Sequence, residues 1–358
     1  MTKPAEAGGT FGEYRILDQL GTGGMSTVHL AEHRSKDGSF KMVALKRLLP
    51  RAATRKELRE SFLDEARLLR YLHQPNIPET YDSGKIGDTH YIAMEFVPGP
   101  TLKELIEHCG KTVGTIPTEI TLNVVAQICD ALDHAHNRCD EKGKPLGIIH
   151  RDISPANIIL SETGLVKLID FGLAKAAISS AATDEGVIKG KFNYVAPEYI
   201  GGTLDARADI WALGVVVYEL LTSRRLFDAP DDLETMNRVR KLPIPSPSRA
   251  NPRVTPELDY IVMTALQRDP SRRWQSAAHM RDALRRVIEK PGNNVDNRHV
   301  IDWVNWVFSQ KPGTEASGVS KLISMTKPMR AVEAPDPEDI SLRPRGWLRN
   351  LLSPRSRR

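Results

Sequence analysis

His150-Arg151-Asp152-Ile153-Ser154-Pro155-Ala156-Asn157 is followed, thirteen residues after Asn157, by Asp170-Phe171-Gly172. An Asp near an Asn ordinarily marks a turn. Here the two segments close apolar runs, Gly147 to His150 and Leu165 to Ile169, where an acid needs a reason to stand. Asp152 can accept a proton from a hydroxyl, and Asn157 and Asp170 carry the hard oxygen donors that divalent cations take.

Upstream, Gly21-Thr22-Gly23-Gly24-Met25-Ser26 with Val28 approximates a Gly-x-Gly-x-x-Gly loop, Ser26 standing at the third glycine. Without a Cβ, backbone N–H groups can approach phosphates closely. The alternating pattern on both sides, with no helix following, separates this loop from a dinucleotide-binding turn. Val43-Ala44-Leu45-Lys46 then puts a lysine on an apolar strand. Nineteen residues on, Glu65 lies in Phe62-Leu63-Asp64-Glu65-Ala66, within a Leu58 to Leu72 stretch whose Leu58, Phe62, Ala66 and Leu69 have helical spacing.

Taken together, these motifs resemble the catalytic core of the eukaryotic-like serine/threonine protein kinases, bacterial members included, from about Phe11 to about Val287. The resemblance implies an α+β, bilobal protein-kinase fold. Residues 11–97 would form a small antiparallel-sheet lobe with one helix, and 98–289 a larger, mostly helical lobe. It further implies ATP with Mg2+ (or Mn2+) as cofactors and a protein bearing Ser or Thr hydroxyls as substrate.

By the same resemblance Asp152 is the catalytic base, and Asn157 and Asp170 are the metal ligands. Lys46 holds the α- and β-phosphates and pairs with Glu65, leaving Asp64 outside. Leu20, Gly21, Gly23, Gly24 and Ser26 cover the nucleotide, Val28 and Ala44 sandwich the ring, and Met94 closes the pocket behind it. Backbone groups of Glu95 and Val97 meet the adenine edge. Leu69, His150 and Phe171 are expected to stack between the lobes, Glu198 to pair with Arg273, and Asp209 to tie down the catalytic loop.

Two positions depart from the family pattern. Ser154 occupies the place of a lysine that contacts the γ-phosphate, and Gly190-Lys191 replaces the usual Gly-Thr. The expectation is an exchange, in which Lys191 reaches the γ-phosphate and Ser154 supplies the hydroxyl contact. Arg151 would receive a phosphorylated residue of the Gly172 to Glu198 segment, Thr183 ahead of Ser179 and Ser180. Two rival readings stay open: a pseudokinase scaffold resting on Ser154, and a small-molecule phosphotransferase, against which Ala196-Pro197-Glu198 speaks.

Composition narrows the remaining classes. Of 358 residues, 40% are hydrophobic and 27% charged, which suits a chain that buries a core. The net charge of +5 is concentrated in the six arginines between Arg343 and Arg358. The rest is close to neutral, so no nucleic-acid binding is expected of the core. Cys109, Cys129 and Cys139 lack metal-ligand spacing and read as reduced thiols of a cytoplasmic protein. Ile210 to Leu221, the most apolar run, is shorter than the roughly 20 residues of a membrane span. At the ends, 1–10 is expected to be a disordered leader and 290–310 a helical extension carrying Trp303, Trp306 and Phe308. Residues 311–358 form a basic tail, expected to lack a core and able to meet an anionic surface.

Overall fold

The structure is a computed structural model describing residues 9–34, 38–171, 192–200, 204–290 and 295–310. Six strands make one antiparallel sheet: β1 (Thr10–Phe11), β2 (Tyr14–Thr22), β3 (Ser26–Arg34), β4 (Phe40–Leu48), β5 (Thr80–Ile86) and β6 (Thr89–Glu95), ordered β1-β2-β3-β4-β6-β5. The register puts Val28 opposite Lys46 and Ala44 opposite Met94. Directly opposed residues share a face, so these four side chains lie on the side that packs toward the larger lobe. Ala31, Val43, Leu45, Tyr91 and Ala93 fill a separate core on the other face.

Between β4 and β5 run a one-turn helix α1 (Pro50–Ala53) and α2 (Lys56–Leu69), which buries Leu58, Phe62, Glu65, Ala66 and Leu69 along one stripe. Thr10 already pairs with Arg15, so the sheet begins inside the stretch expected to be a leader. β5 carries no apolar period (Thr-Tyr-Asp-Ser-Gly-Lys-Ile) and buries none of its residues, as befits an edge strand.

The larger lobe holds α3 (Leu102–Lys111), α4 (Thr118–His136), α5 (Arg207–Thr222), α6 (Asp232–Lys241), α7 (Pro256–Ala265), α8 (Ala277–Ile288) and α9 (Asn297–Ser309), with a short hairpin of β7 (Ile158–Leu160) and β8 (Val166–Leu168). α5 is apolar on all sides and buried from Asp209 to Thr222, making it the axis of this lobe. α9 sends Val300, Trp303, Val304 and Val307 into the same core, with Trp306 and Phe308 packed at its margin.

The lobes meet along the hairpin. Leu160 N–H donates to Pro100 O at 3.0 Å and Glu162 N–H to Pro98 O at 3.1 Å, fastening the connecting strand to β7. Gly99 makes this approach possible, because a Cβ there would sit 2.0 Å from Leu160 O. A second tie runs from Leu168 N–H to Asn76 O, 2.8 Å, linking β8 to the segment after α2.

Asp209, 1% exposed at the start of α5, accepts from His136 Nε2 at 2.8 Å and from the backbone N–H groups of His150 at 2.7 Å and Arg151 at 2.8 Å. Burial works to raise its carboxyl, but these donors hold it below its ordinary value of 3.8. Its contribution to stability is therefore present above that value and fades as pH falls through the folded one. Asp209→Asn turns an amide N–H2 toward these donors, so it should cost about 3 kcal/mol of unfolding free energy in urea at pH 7. The difference should hold down to about pH 4 and shrink only below it.

Candidate active site

Lys46 and Glu65 meet under the sheet. The Lys46 ammonium donates to Glu65 Oε1 at 2.6 Å and to Asp170 Oδ1 at 3.2 Å, with side-chain exposures of 7%, 1% and 41% respectively. Burial by itself would pull the ammonium down. The Asp170 and Glu65 carboxylates outweigh it and hold Lys46 above its ordinary value, firmly charged. Burial also raises the Glu65 carboxyl against the pull of Lys46, and its Oε2 has no hydrogen-bond partner among the described residues. Asp64, the neighbouring acid, points outward to Arg67 at 3.3 Å.

The β2–β3 hairpin closes with Gly23 N–H donating to Ser26 O at 2.8 Å, while Met25 O accepts from Leu49 N–H at 2.8 Å. A Cβ at Gly21 would meet nothing within 4 Å, and one at Gly23 only Ser26 O at 3.7 Å. The backbone is thus bare on the side a phosphate would approach. Ser26 is buried, so the departure from glycine at this position fills space inside the hairpin. Leu20 is 48% exposed at the rim, and Val28, Ala44 and Met94 are half-buried.

Hairpin geometry explains why motifs thirteen residues apart meet. Ile158 pairs with Leu168, and Ile169 N–H donates to Asn157 O at 2.9 Å, so Asn157 and Asp170 emerge side by side. Asn157 Nδ2 donates to Asp152 O at 2.8 Å, fixing the amide against the catalytic loop. His150 is fully buried. Its Nε2 lies 3.1 Å from Ile169 O and its Nδ1 accepts from Asp152 N–H at 3.2 Å, which assigns the tautomer as Nε2–H. Its ring is 4.5 Å from that of Phe171, beside which Leu69 lines a small cavity.

Arg151 (φ 64°) and Asp170 (φ 56°) are two of three described non-glycine residues with positive φ. Strain of this kind persists where surroundings hold it, as the Asp209 carboxylate does for Arg151. Arg273 clasps Glu198 through both terminal guanidinium nitrogens at 2.6 Å, and the Tyr194 hydroxyl donates to Glu219 at 2.8 Å. The donor set of one Asp carboxylate and one Asn amide suits a cation that completes its shell with phosphate oxygens. No cluster of three or more His, Cys, Asp or Glu able to hold a metal by itself exists among the described residues. Lys191, Ser179, Ser180 and Thr183 lie outside those residues.

One site residue escapes a reading of the sequence. Lys167 of β8 donates to Glu95 Oε2 at 2.6 Å and is buried, pinning the strand between the lobes to the hairpin below it. A lysine between Val166 and Leu168 was its only sign.

The protein kinase domain family matches residues 14–284. The chain is similar to tyrosine-protein kinase MasK of Myxococcus xanthus, 34% identical over 88% of this chain and 49% of that protein. It is similar to serine/threonine-protein kinase PknB of Mycobacterium leprae, 38% identical over 76% of this chain and 43% of PknB. It is also similar to serine/threonine-protein kinase PrkC of Bacillus subtilis, 36% identical over 78% and 41%. The chain thus spans less than half the length of these curated relatives. Among solved structures, the PknI kinase domain of Mycobacterium tuberculosis superposes with a TM-score of 0.59 and 28% identity, covering 79% of this chain and 99% of that one. With most of its length matched, the chain belongs to the protein kinase domain family.

Proposed function

We propose that this chain transfers the γ-phosphoryl group of ATP to serine and threonine hydroxyls of proteins, including its own activation segment. The family uses ATP with a divalent cation, typically Mg2+. The carrying observation is the Lys46 ammonium held between Glu65 and Asp170, acids 105 residues apart on different lobes. Such a cation, charged and bare of other described partners, suits the α- and β-phosphates. Asn157 and Asp170 would hold the Mg2+ (or Mn2+), whose charge offsets that developing on the phosphates. Asp152, its backbone fixed by His150 and Asn157, takes the proton of the acceptor hydroxyl. Val28, Ala44 and Met94 bound the space for the adenine, Leu20 its rim, and Glu95 and Val97 offer backbone groups to its edge. Gly21, Gly23, Gly24 and Ser26 cover the phosphates.

The Glu198–Arg273 clasp supports a protein substrate, since it steadies the segment against which a polypeptide would lie. Arg151 Nε is buried with no hydrogen-bond partner among the described residues, which suits docking of a phosphate from Thr183. Ser154 begins the Pro155–Asn157 turn without a side-chain capping bond, leaving its hydroxyl available for the exchange with Lys191. No helix among the described residues is long and apolar enough to cross a membrane. All three cysteines are free thiols, which agrees with action in the cytoplasm. We extend the proposal to residues 11–97 and 98–289 as the two lobes, 290–310 as their helical extension, and the arginine-rich 311–358 as a tail able to meet an anionic surface.

Asp152→Asn should lower label transfer from ATP to a basic protein substrate by at least about a hundredfold, without loss of nucleotide-analogue binding. Equal label in both proteins removes the enzymatic reading, and label found only on tyrosine removes the serine/threonine assignment. Lys191→Ala should reduce turnover by about tenfold or more, and Ser154→Lys/Lys191→Thr should restore much of it. Wild-type turnover in Lys191→Ala sinks the exchange. Mass spectrometry after incubation with ATP should find phosphate on Thr183, and none anywhere from 179 to 183 refutes the autophosphorylation.

A further inference from the structure

We propose that Asn297, on α9, is a positioning residue for phosphoryl transfer, acting through Gln127 on the segment after α2 and on β8. The inference rests on the kinase reading and adds an element that the family's matched span, ending at 284, does not reach.

Gln127, on α4, uses all four of its hydrogen-bonding sites. Oε1 accepts from Asn76 Nδ2 at 2.8 Å and from Val166 N–H at 2.9 Å. Nε2 donates to Asn123 Oδ1 at 2.7 Å and Asn297 Oδ1 at 3.1 Å. The backbone sets the polarity of this chain of amides. Val166 N–H can only donate, so the Gln127 atom facing it is oxygen, and its nitrogen must face α9. At the other ends, Asn76 Nδ2 donates to Val166 O at 2.8 Å and Asn123 Nδ2 to Val295 O at 2.7 Å, so each amide has one consistent orientation.

The relay ends on the catalytic elements. Asn76, 5% exposed, accepts through its backbone oxygen from Leu168 N–H, two residues before Asp170. It also lies seven residues after the end of α2, the helix that carries Glu65. The two acids that hold Lys46 are therefore spaced in part by a polar network centred on the fully satisfied Gln127, whose last member is Asn297. Asn76 is buried and the other three amides are half-buried, and a polar network in which donors meet acceptors fixes geometry more sharply than apolar packing of equal volume.

α9 does not need Asn297 in order to dock. Val300, Trp303, Val304 and Val307 are buried, and the His108 Nε2 meets Val307 O at 2.9 Å. The turn before β8 lies directly against the first turn of α9, where a Cβ on Gly164 (φ 75°) would fall 1.9 Å from Asn297 O. A side chain placed there yet spared from anchoring suits alignment better than adhesion.

The test compares Asn297→Leu, Asn297→Asp and Gln127→Glu in the full chain. Asn297→Leu should lower kcat by about three- to tenfold, while the melting temperature moves by less than about 3 °C. Amide exchange at Val166 and Leu168 should quicken, with α9 amides unchanged. Asn297→Asp keeps the acceptor for Gln127 and should retain wild-type kcat. Gln127→Glu faces two oxygens with no donor and should behave like Asn297→Leu or worse. Unchanged kcat and unchanged Leu168 exchange in Asn297→Leu overturn the proposal, as does a kcat loss matched by destabilisation that Asn297→Asp fails to rescue. A wild-type chain without turnover would sink the kinase reading instead, and the exchange at Leu168 would still decide for or against the relay.

Discussion

A single ammonium group, that of Lys46, fixes how the two lobes must meet. Removing a charge from water costs several kcal/mol unless good partners replace the solvent. Lys46 finds one partner in α2 and one in the segment after β8, at 2.6 and 3.2 Å. The sheet, the helix and the hairpin of the larger lobe are each incomplete without the others at this point. Truncating Lys46 or Glu65 strands a buried charge, whereas Asp170, 41% exposed, keeps solvent as an alternative partner.

Around that point the protein holds irregular backbone with polar groups rather than regular structure. The 148–157 segment has little helix or strand, and Arg151 sits at positive φ. Its rigidity comes from two buried hubs. Asp209 gathers two backbone N–H groups and His136, and His150 joins the segment to Ile169 and packs its ring, tilted by 47°, against Phe171. α5 presents Asp209 from a helix buried along nearly its whole length, so the hub has little room to move. The backbone of Asp152, the proposed base, is thus fixed on a loop through both its N–H and its carbonyl oxygen.

Much of this was legible in the sequence, for a physical reason. Lys46, Glu65, Asn157 and Asp170 are polar residues at the edges of apolar patterns, where an ion is conspicuous. The α2 stripe and the β2–β3 alternation showed through the periods of 3.6 and 2 that burial on one face imposes. What escaped has no such contrast. β5 is polar and at an edge, α6 is short and buries only Thr235 and Val239, and Lys167 looks like any lysine on a strand until Glu95 appears 2.6 Å away. Asn76, Gln127 and Asn297 form a network only through three-dimensional proximity, since 170 residues separate the last two. Polar residues that satisfy one another leave no periodic trace.

The unequal burial of the two acids on Lys46 bears on how the site would work. Glu65 is 1% exposed and shut off from solvent cations, so it is a permanent partner whose loss would strand the ammonium. Asp170 is 41% exposed, and an ion pair with one wet member is weak. In the proposed reaction Asp170 would, with Asn157, hold the metal ion, whose charge would offset that of the phosphates, and the Lys46 ammonium would meet phosphate oxygens. Glu65 meanwhile keeps Lys46 in position. On that proposal Glu65 is the lasting partner of Lys46 and Asp170 the exchangeable one.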